Sequence, residues 1–244
     1  MKGRANRIAT FLPDPIEQAA RRIVRSVRSR PVRMGRLRRL TPLVDNWGLD
    51  RGQPVDRYYI ESFIRRHRLT IRGVVMEIQC PEYTDRYGDQ VERSEIADID
   101  RTNPRATLIV DLGEPNSLPA STYDCVIVTQ TLQFVDSLDL AIANLWRSLR
   151  PGGALLITVP TVSKVEETLA PTDFWRLTPR GLETILRRQC PDGDIEISGY
   201  GNVLVSVSFL HGLVTSDLRR RELDHYDPIF PTGACGRASK PTAS

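Results

Sequence analysis

Acidic and amide side chains close four apolar stretches of this chain. Glu77-Ile78-Gln79 follows Gly73 to Met76, Asp98-Ile99-Asp100 follows Glu95 to Ala97, Asp111-Leu112 follows Ala106 to Val110, and Thr129-Gln130 follows Tyr123 to Val128. Strands that are almost wholly apolar belong to a sheet covered on both faces, which means a parallel one. In open sheets of that kind, ligands lie beyond the carboxyl ends of the strands, where strand order reverses. The four polar ends are therefore the first candidates for binding. Each has a plainer alternative, since a carboxylate after a strand often caps the turn that follows it.

Three further residues could move a proton. His211 ends the last expected strand in Phe209-Leu210-His211-Gly212, Asp173 lies in a long loop, and His225 follows the charged stretch from Asp217 to Glu222. A histidine with a pKa of about 6.5 accepts a proton at neutral pH, although a lone one at the end of an element more often has a structural role. Trp175 and Arg176 are candidates for lining a sugar face, with core packing as the alternative for the tryptophan. No metal is expected, because His67, His211 and His225 are not spaced as ligands with one another or with Cys80, Cys125, Cys190 and Cys235. The chain has no G-x-S-x-G elbow, dinucleotide loop or phosphate loop, so hydrolase, NAD and ATP chemistries find no support.

The elements that must position these residues alternate in type. Helical spacing is expected from Pro54 to about Arg68 (Val55, Tyr59, Ile60, Phe63, Ile64) and from Ser137 to Leu149, the latter stopped by Arg150-Pro151-Gly152-Gly153 before an apolar strand from Ala154 to Val159. Thr178-Pro179 opens another helix to about Arg188, after a loop over residues 161–178. Ile195 to Ser198 and Val203 to Phe209 are expected to form a C-terminal antiparallel hairpin, and the Pro- and Gly-rich residues 227–244 a flexible tail. The fold class is α/β, a doubly wound and mostly parallel sheet over residues 41–226.

Residues 1–40 stand apart in charge. They carry twelve Lys or Arg against Asp14 and Glu17, a balance of +10 that leaves −6 for the rest of the 244-residue chain. An amphipathic helix is expected over residues 14–28, with Ile16, Ala19, Ala20, Ile23, Val24 and Val27 opposite Arg21, Arg22, Arg25 and Arg28. It could pack on its own domain, dock on a protein partner, or lie on an anionic membrane surface. Nucleic acid is an unlikely partner: no aromatic residues interleave with these arginines, and arginine supplies 31 of the 34 basic residues chain-wide, which looks compositional. The charged start (Lys2, Arg4, Arg7) with only a brief apolar stretch from Ile8 to Leu12 predicts a cytoplasmic protein, membrane-associated if the helix binds lipid.

Tyr123-Asp124 with its apolar strand, the helix after it, and Leu149-Arg150-Pro151-Gly152-Gly153 with the strand after that together resemble the class I S-adenosylmethionine-dependent methyltransferase family, and its methyltransferase type 11 members in particular. The resemblance covers about Gly73 to Phe209 and implies a Rossmann-like fold, S-adenosylmethionine as cofactor, and methyl transfer. It also implies that Asp100 takes the ribose hydroxyls, Asp111 and Leu112 border the adenine, Glu77 and Gln79 stand near the methionine end, and Gln130 lies near the methionine amino group. Asp173 to Pro179 is similar to a stretch in members linked to glycan pathways, which points to O-methylation of a small-molecule or saccharide acceptor. One departure stands out. The family's first loop is acidic-x-Gly-x-Gly-x-Gly, whereas this chain reads Glu77-Ile78-Gln79-Cys80-Pro81-Glu82-Tyr83, with no glycine before Gly88. A methyltransferase-fold scaffold without activity is the competing reading.

Overall fold

The computed structural model describes Gly35 and residues 38–242. The chain divides into two compact units, Met1–Leu40 and Thr41–Ser244. The expected basic helix over residues 14–28 lies outside the described residues.

The second unit holds helix α1 (Val55–Arg66), strand β1 (Gly73–Ile78), α2 (Glu82–Tyr87), β2 (Val91–Asp98), β3 (Leu108–Ile109) and β4 (Tyr123–Thr129). It continues with α3 (Leu138–Ser148), β5 (Leu149–Pro160), α4 (Pro179–Gln189), β6 (Asp194–Tyr200), α5 (Val203–Leu210), α6 (Arg220–Asp224) and β7 (Gly233–Ser239). The seven strands form one sheet in the order β3-β2-β1-β4-β5-β7-β6. β1 to β5 pair in parallel, and β7 runs antiparallel to both β5 and β6. Strand order reverses between β1 and β4, as the right-handed crossovers of a doubly wound sheet require.

The apolar runs are explained by cover on both faces. Along β4, Val126 and Val128 face Leu138, Ile142 and Leu145 of α3 together with Leu182 and Leu186 of α4. Cys125 and Ile127 face the other way, onto Ile60, Phe63 and Ile64 of α1 and Tyr83 of α2. Each fully buried side chain of this size contributes about 1.5–3 kcal/mol. The Tyr-Asp and Arg-Pro-Gly-Gly motifs meet in space: Asp124 Oδ2 accepts from Val74 N at 2.8 Å and from Arg150 Nη1 at 2.8 Å. Gly73 is held at φ +65, and a Cβ there would run into the Asp124 carboxylate, so the start of β1 needs glycine.

The C-terminal hairpin is corrected in its second half. β6 forms as expected, but Val203–Leu210 is a helix, because Asn202 caps it by accepting from Val205 N at 3.1 Å and Val205, Ser208 and Phe209 turn one face inward. β-branched composition read as a strand what the cap makes a helix. The antiparallel partner of β6 is instead Gly233–Ser239, inside the segment expected to be a flexible tail, and it is buried between β5 and β6. Its small residues carry a packing constraint: a Cβ on Gly236 would stand 3.0 Å from Leu186 Cδ1 of α4. β2 also starts earlier than expected and ends at Asp98, which leaves Asp100 in the following turn.

Candidate active site

Two tight turns mark the switch point. After β1, Gln79 adopts φ +68 while Cys80 N donates to Ile78 O at 2.9 Å, closing a three-residue turn. After β4, Gln130 adopts φ +49, and its N donates to Thr158 O at 2.9 Å. Non-glycine residues rarely take such angles, and their clustering in one place suits a ligand site. Glu77 supports the first turn from within. Its buried carboxylate accepts from Tyr83 N at 2.9 Å, Thr84 N at 2.8 Å and Thr84 Oγ1 at 2.7 Å, and burial outweighs these bonds to raise its pKa above the usual glutamate value. Asn103 Nδ2 then ties the turn to β2, bonding Gln79 O at 2.8 Å and Asp98 Oδ2 at 2.7 Å.

A cleft of about 290 Å³ opens beyond these turns. Its floor is Gln79, Gln130, Thr131 and Gln133; Pro54 and, from α1, Asp56 and Arg57 form one wall, and α5 contributes Phe209. Trp47, Leu49 and the loop after β5 (Ser163, Lys164, Glu166, Leu169, Asp173, Arg176) form the remaining walls. Asp56 is only 9% exposed, and its Oδ1 receives no hydrogen bond among the described residues. Burial raises its pKa above the ordinary 3.8, against the opposing charge of Arg57. Lys164 Nζ sits 4.0 Å from the Trp47 ring centroid, a cation–π contact.

The residues singled out from sequence do not all come together. Gln79, Gln130, Asp173 and Arg176 line the cleft, and Glu77 braces its floor. Asp100 and Asp111 lie exposed in the turns after β2 and β3, where Asp100 Oδ1 accepts from Thr102 N (2.8 Å) and Thr102 Oγ1 (2.7 Å) and Asp111 Oδ1 accepts from Gly113 N (2.8 Å). Leu112 is buried in the core under α3. His211 and His225 do not line the cleft: the first ends α5, where its carbonyl accepts from Leu43 N and Val44 N, and the second follows α6 on the surface. Asp173 is engaged by both Arg176 guanidinium nitrogens, which hold its carboxyl below the ordinary 3.8. That pair fixes the loop, with Arg176 Nη2 also donating to Lys164 O at 2.8 Å. Trp175 turns away from the cleft and donates Nε1 to Val135 O at 2.9 Å.

A family model described as "Methyltransferase domain" matches residues 87–157. Solved structures agree over a longer span. An S-adenosylmethionine-dependent methyltransferase from Mesorhizobium loti superposes with a TM-score of 0.53 at 14% identity, covering 79% of this chain and 100% of that one. The N-methyltransferase NodS from Bradyrhizobium japonicum, solved with S-adenosyl-L-homocysteine, gives 0.52 at 16%, covering 82% and 95%. The fold is that of the class I methyltransferases. A further methyltransferase of this fold, from Archaeoglobus fulgidus, gives 0.50 at 17%, covering 75% and 94%. No curated protein matches this chain in sequence.

Sequence reasoning missed Asp56, Arg57, Gln133, Lys164 and Glu166 as lining of this cleft. Asp56 had one visible signal, a carboxylate in the first turn of an amphipathic helix right after Pro54, where burial is unusual for aspartate. The others had none.

Proposed function

We propose that this chain transfers a methyl group from S-adenosylmethionine to an oxygen of a small molecule or saccharide held in the cleft. The observation that carries the reading is the cleft's place, at the carboxyl ends of β1 and β4 where strand order reverses, with both Gln79 and Gln130 in left-handed turns. The residues present fit the cofactor. The turn at Gln79 takes the backbone angle that glycine would, and its exposed side chain makes no hydrogen bond among the described residues, so it can move aside. Asp100 and Asp111 each use only Oδ1 within their own turns, which leaves Oδ2 free to accept from ribose hydroxyls and from the adenine edge. Arg57, a cation in the lining of the same cleft as Gln79, suits a carboxylate.

When bound, the cofactor supplies a methyl group on a sulfonium leaving group. The chain aligns the acceptor and receives its proton. With Asp173 committed to Arg176 and both histidines outside the cleft, Asp56 and Glu166 are the cleft carboxylates left to take that proton, and burial raises the pKa of Asp56.

The competing reading, a methyltransferase-fold scaffold docked through the basic residues 14–28, is favoured by the same Gln79, whose side chain stands where a glycine would leave room. Calorimetric titration with S-adenosylmethionine and S-adenosylhomocysteine separates the two. Saturable binding that Asp100→Ala weakens at least tenfold is expected. A folded protein that binds neither ligand is the scaffold.

A further inference from the structure

Among the described residues, seven buried side-chain atoms have no hydrogen-bond partner. Three of them, Asp56 Oδ1, Gln133 Oε1 and Glu166 Oε2, belong to residues that line the same cleft, and all three are acceptors. An unsatisfied buried acceptor costs about 1–3 kcal/mol, so three in one cleft form a set awaiting donors. Several of the cleft's own donors are committed elsewhere. Arg176 spends both terminal nitrogens on Asp173 and on the Lys164 and Trp175 carbonyls, Arg57 Nη1 donates to Tyr83 Oη at 2.8 Å, and Gln133 Nε2 donates to Gln130 O at 2.8 Å.

Charge narrows the ligand further. Arg57 adjoins Asp56, and Lys164 Nζ lies 4.0 Å from Glu166 Oε2, so each carboxylate already has a cation nearby without being hydrogen-bonded by it. A ligand that brings a full charge of either sign would upset that balance, whereas hydroxyls bring donors and no charge. Trp47 and Phe209 supply apolar surface of the kind that packs on a sugar ring. A volume of about 290 Å³ sits at the small end of ligand pockets, which run from about 300 to 1,000 Å³.

The geometry points to an acceptor subsite that reads an uncharged polyhydroxylated ring, one sugar in size, through hydroxyl donors to Asp56, Gln133 and Glu166. This rests on the methyl-transfer reading only in making the ring an acceptor; the recognition itself needs no cofactor. The cleft lining carries three carboxylates (Asp56, Glu166, Asp173) and three cations (Arg57, Lys164, Arg176), so it has no net charge with which to favour a charged ring over a neutral one.

Saturation-transfer NMR on the full chain tests it, with three equimolar sets of probes: methyl glycosides of glucose, galactose, mannose and rhamnose; the methyl glycosides of glucuronate and galacturonate; and those of glucosamine and galactosamine. The expected result is transfer to ring protons of an uncharged glycoside above either charged set, reduced at least threefold in both Gln133→Ala and Glu166→Ala. Any other ranking, no transfer from any set, or undiminished transfer in either variant overturns the proposal. Circular dichroism of each variant confirms that it is folded, and Asp56→Asn, which keeps the side chain's shape, supplies a third variant expected to weaken the same signal. Titrating S-adenosylhomocysteine into the same samples keeps the two readings apart. Glycoside binding without it leaves the subsite standing and removes methyl transfer, and the opposite outcome does the reverse.

Discussion

Replacing Gln79 with glycine tests whether the first turn keeps a strained residue where the fold would accept an unstrained one. An L-residue in the left-handed region costs about 1–2 kcal/mol, and Gln79 is held there at φ +68. Glycine removes that cost but loses about 0.5–1 kcal/mol through the greater freedom of its unfolded chain. The side chain is exposed and makes no hydrogen bond among the described residues, while the backbone bonds, Gln79 N to Ala97 O at 2.9 Å and Asn103 Nδ2 to Gln79 O at 2.8 Å, survive the change. The net expectation is a gain of about 0.5–1 kcal/mol, or a rise in Tm of about 1–4 °C for a domain of this size. Urea denaturation followed by circular dichroism, with an unchanged m-value, reads it directly. Gln79→Ala is the decisive control, because it removes the side chain but keeps the Cβ and therefore the strain. If alanine stabilises as much as glycine, or if glycine destabilises, the backbone argument is refuted.

Asp56→Asn is expected to raise Tm near neutral pH. Burial raises the folded pKa above the ordinary 3.8, so the native state binds the proton more tightly, stability falls as pH rises through that window, and the gain in the variant should vanish below 3.8. Asp173 behaves in the opposite sense. Arg176 holds its pKa below 3.8, its contribution is present above that value and lost as pH falls through the folded one, so acid titration of Asp173→Asn should show a shallower loss of stability. Removing residues 232–242 should abolish the soluble folded protein, since β7 is hydrogen-bonded on both edges and buried; a soluble truncated protein with a native circular dichroism spectrum would contradict the sheet order.

The polar strand ends were readable because they follow from local pattern: an apolar run covered on both faces must stop where the backbone reaches solvent, and Asp98, Thr129 and Gln130 stand at such ends. What was hidden is tertiary. Asp56 and Phe209 lie far apart in sequence and meet only because α1 and α5 both reach the carboxyl edge of the sheet, for which no spacing in the sequence is diagnostic. Asp173 and Arg176 were legible as a pair of chemical groups but not as partners of each other, since a loop gives no periodicity from which to infer that they close on themselves. β7 was lost because Gly233-Ala234-Cys235-Gly236 lacks the bulky side chains that mark strands. A side chain at Gly236 would meet Leu182 and Leu186, and one at Gly233 would meet the Tyr200 ring.

The sheet order also sets a schedule during synthesis. Among the described residues β6 has β7 as its only ladder partner, yet 32 residues lie between Tyr200 and Gly233. At about 5–20 residues per second, a ribosome needs a few seconds to make them. For that interval β5 and β6 each present an unpaired edge to other nascent chains, the exposure that leads to strand-to-strand aggregation. Yield during overproduction should therefore depend more on temperature and on the rate of translation through this stretch than on the stability of the finished fold.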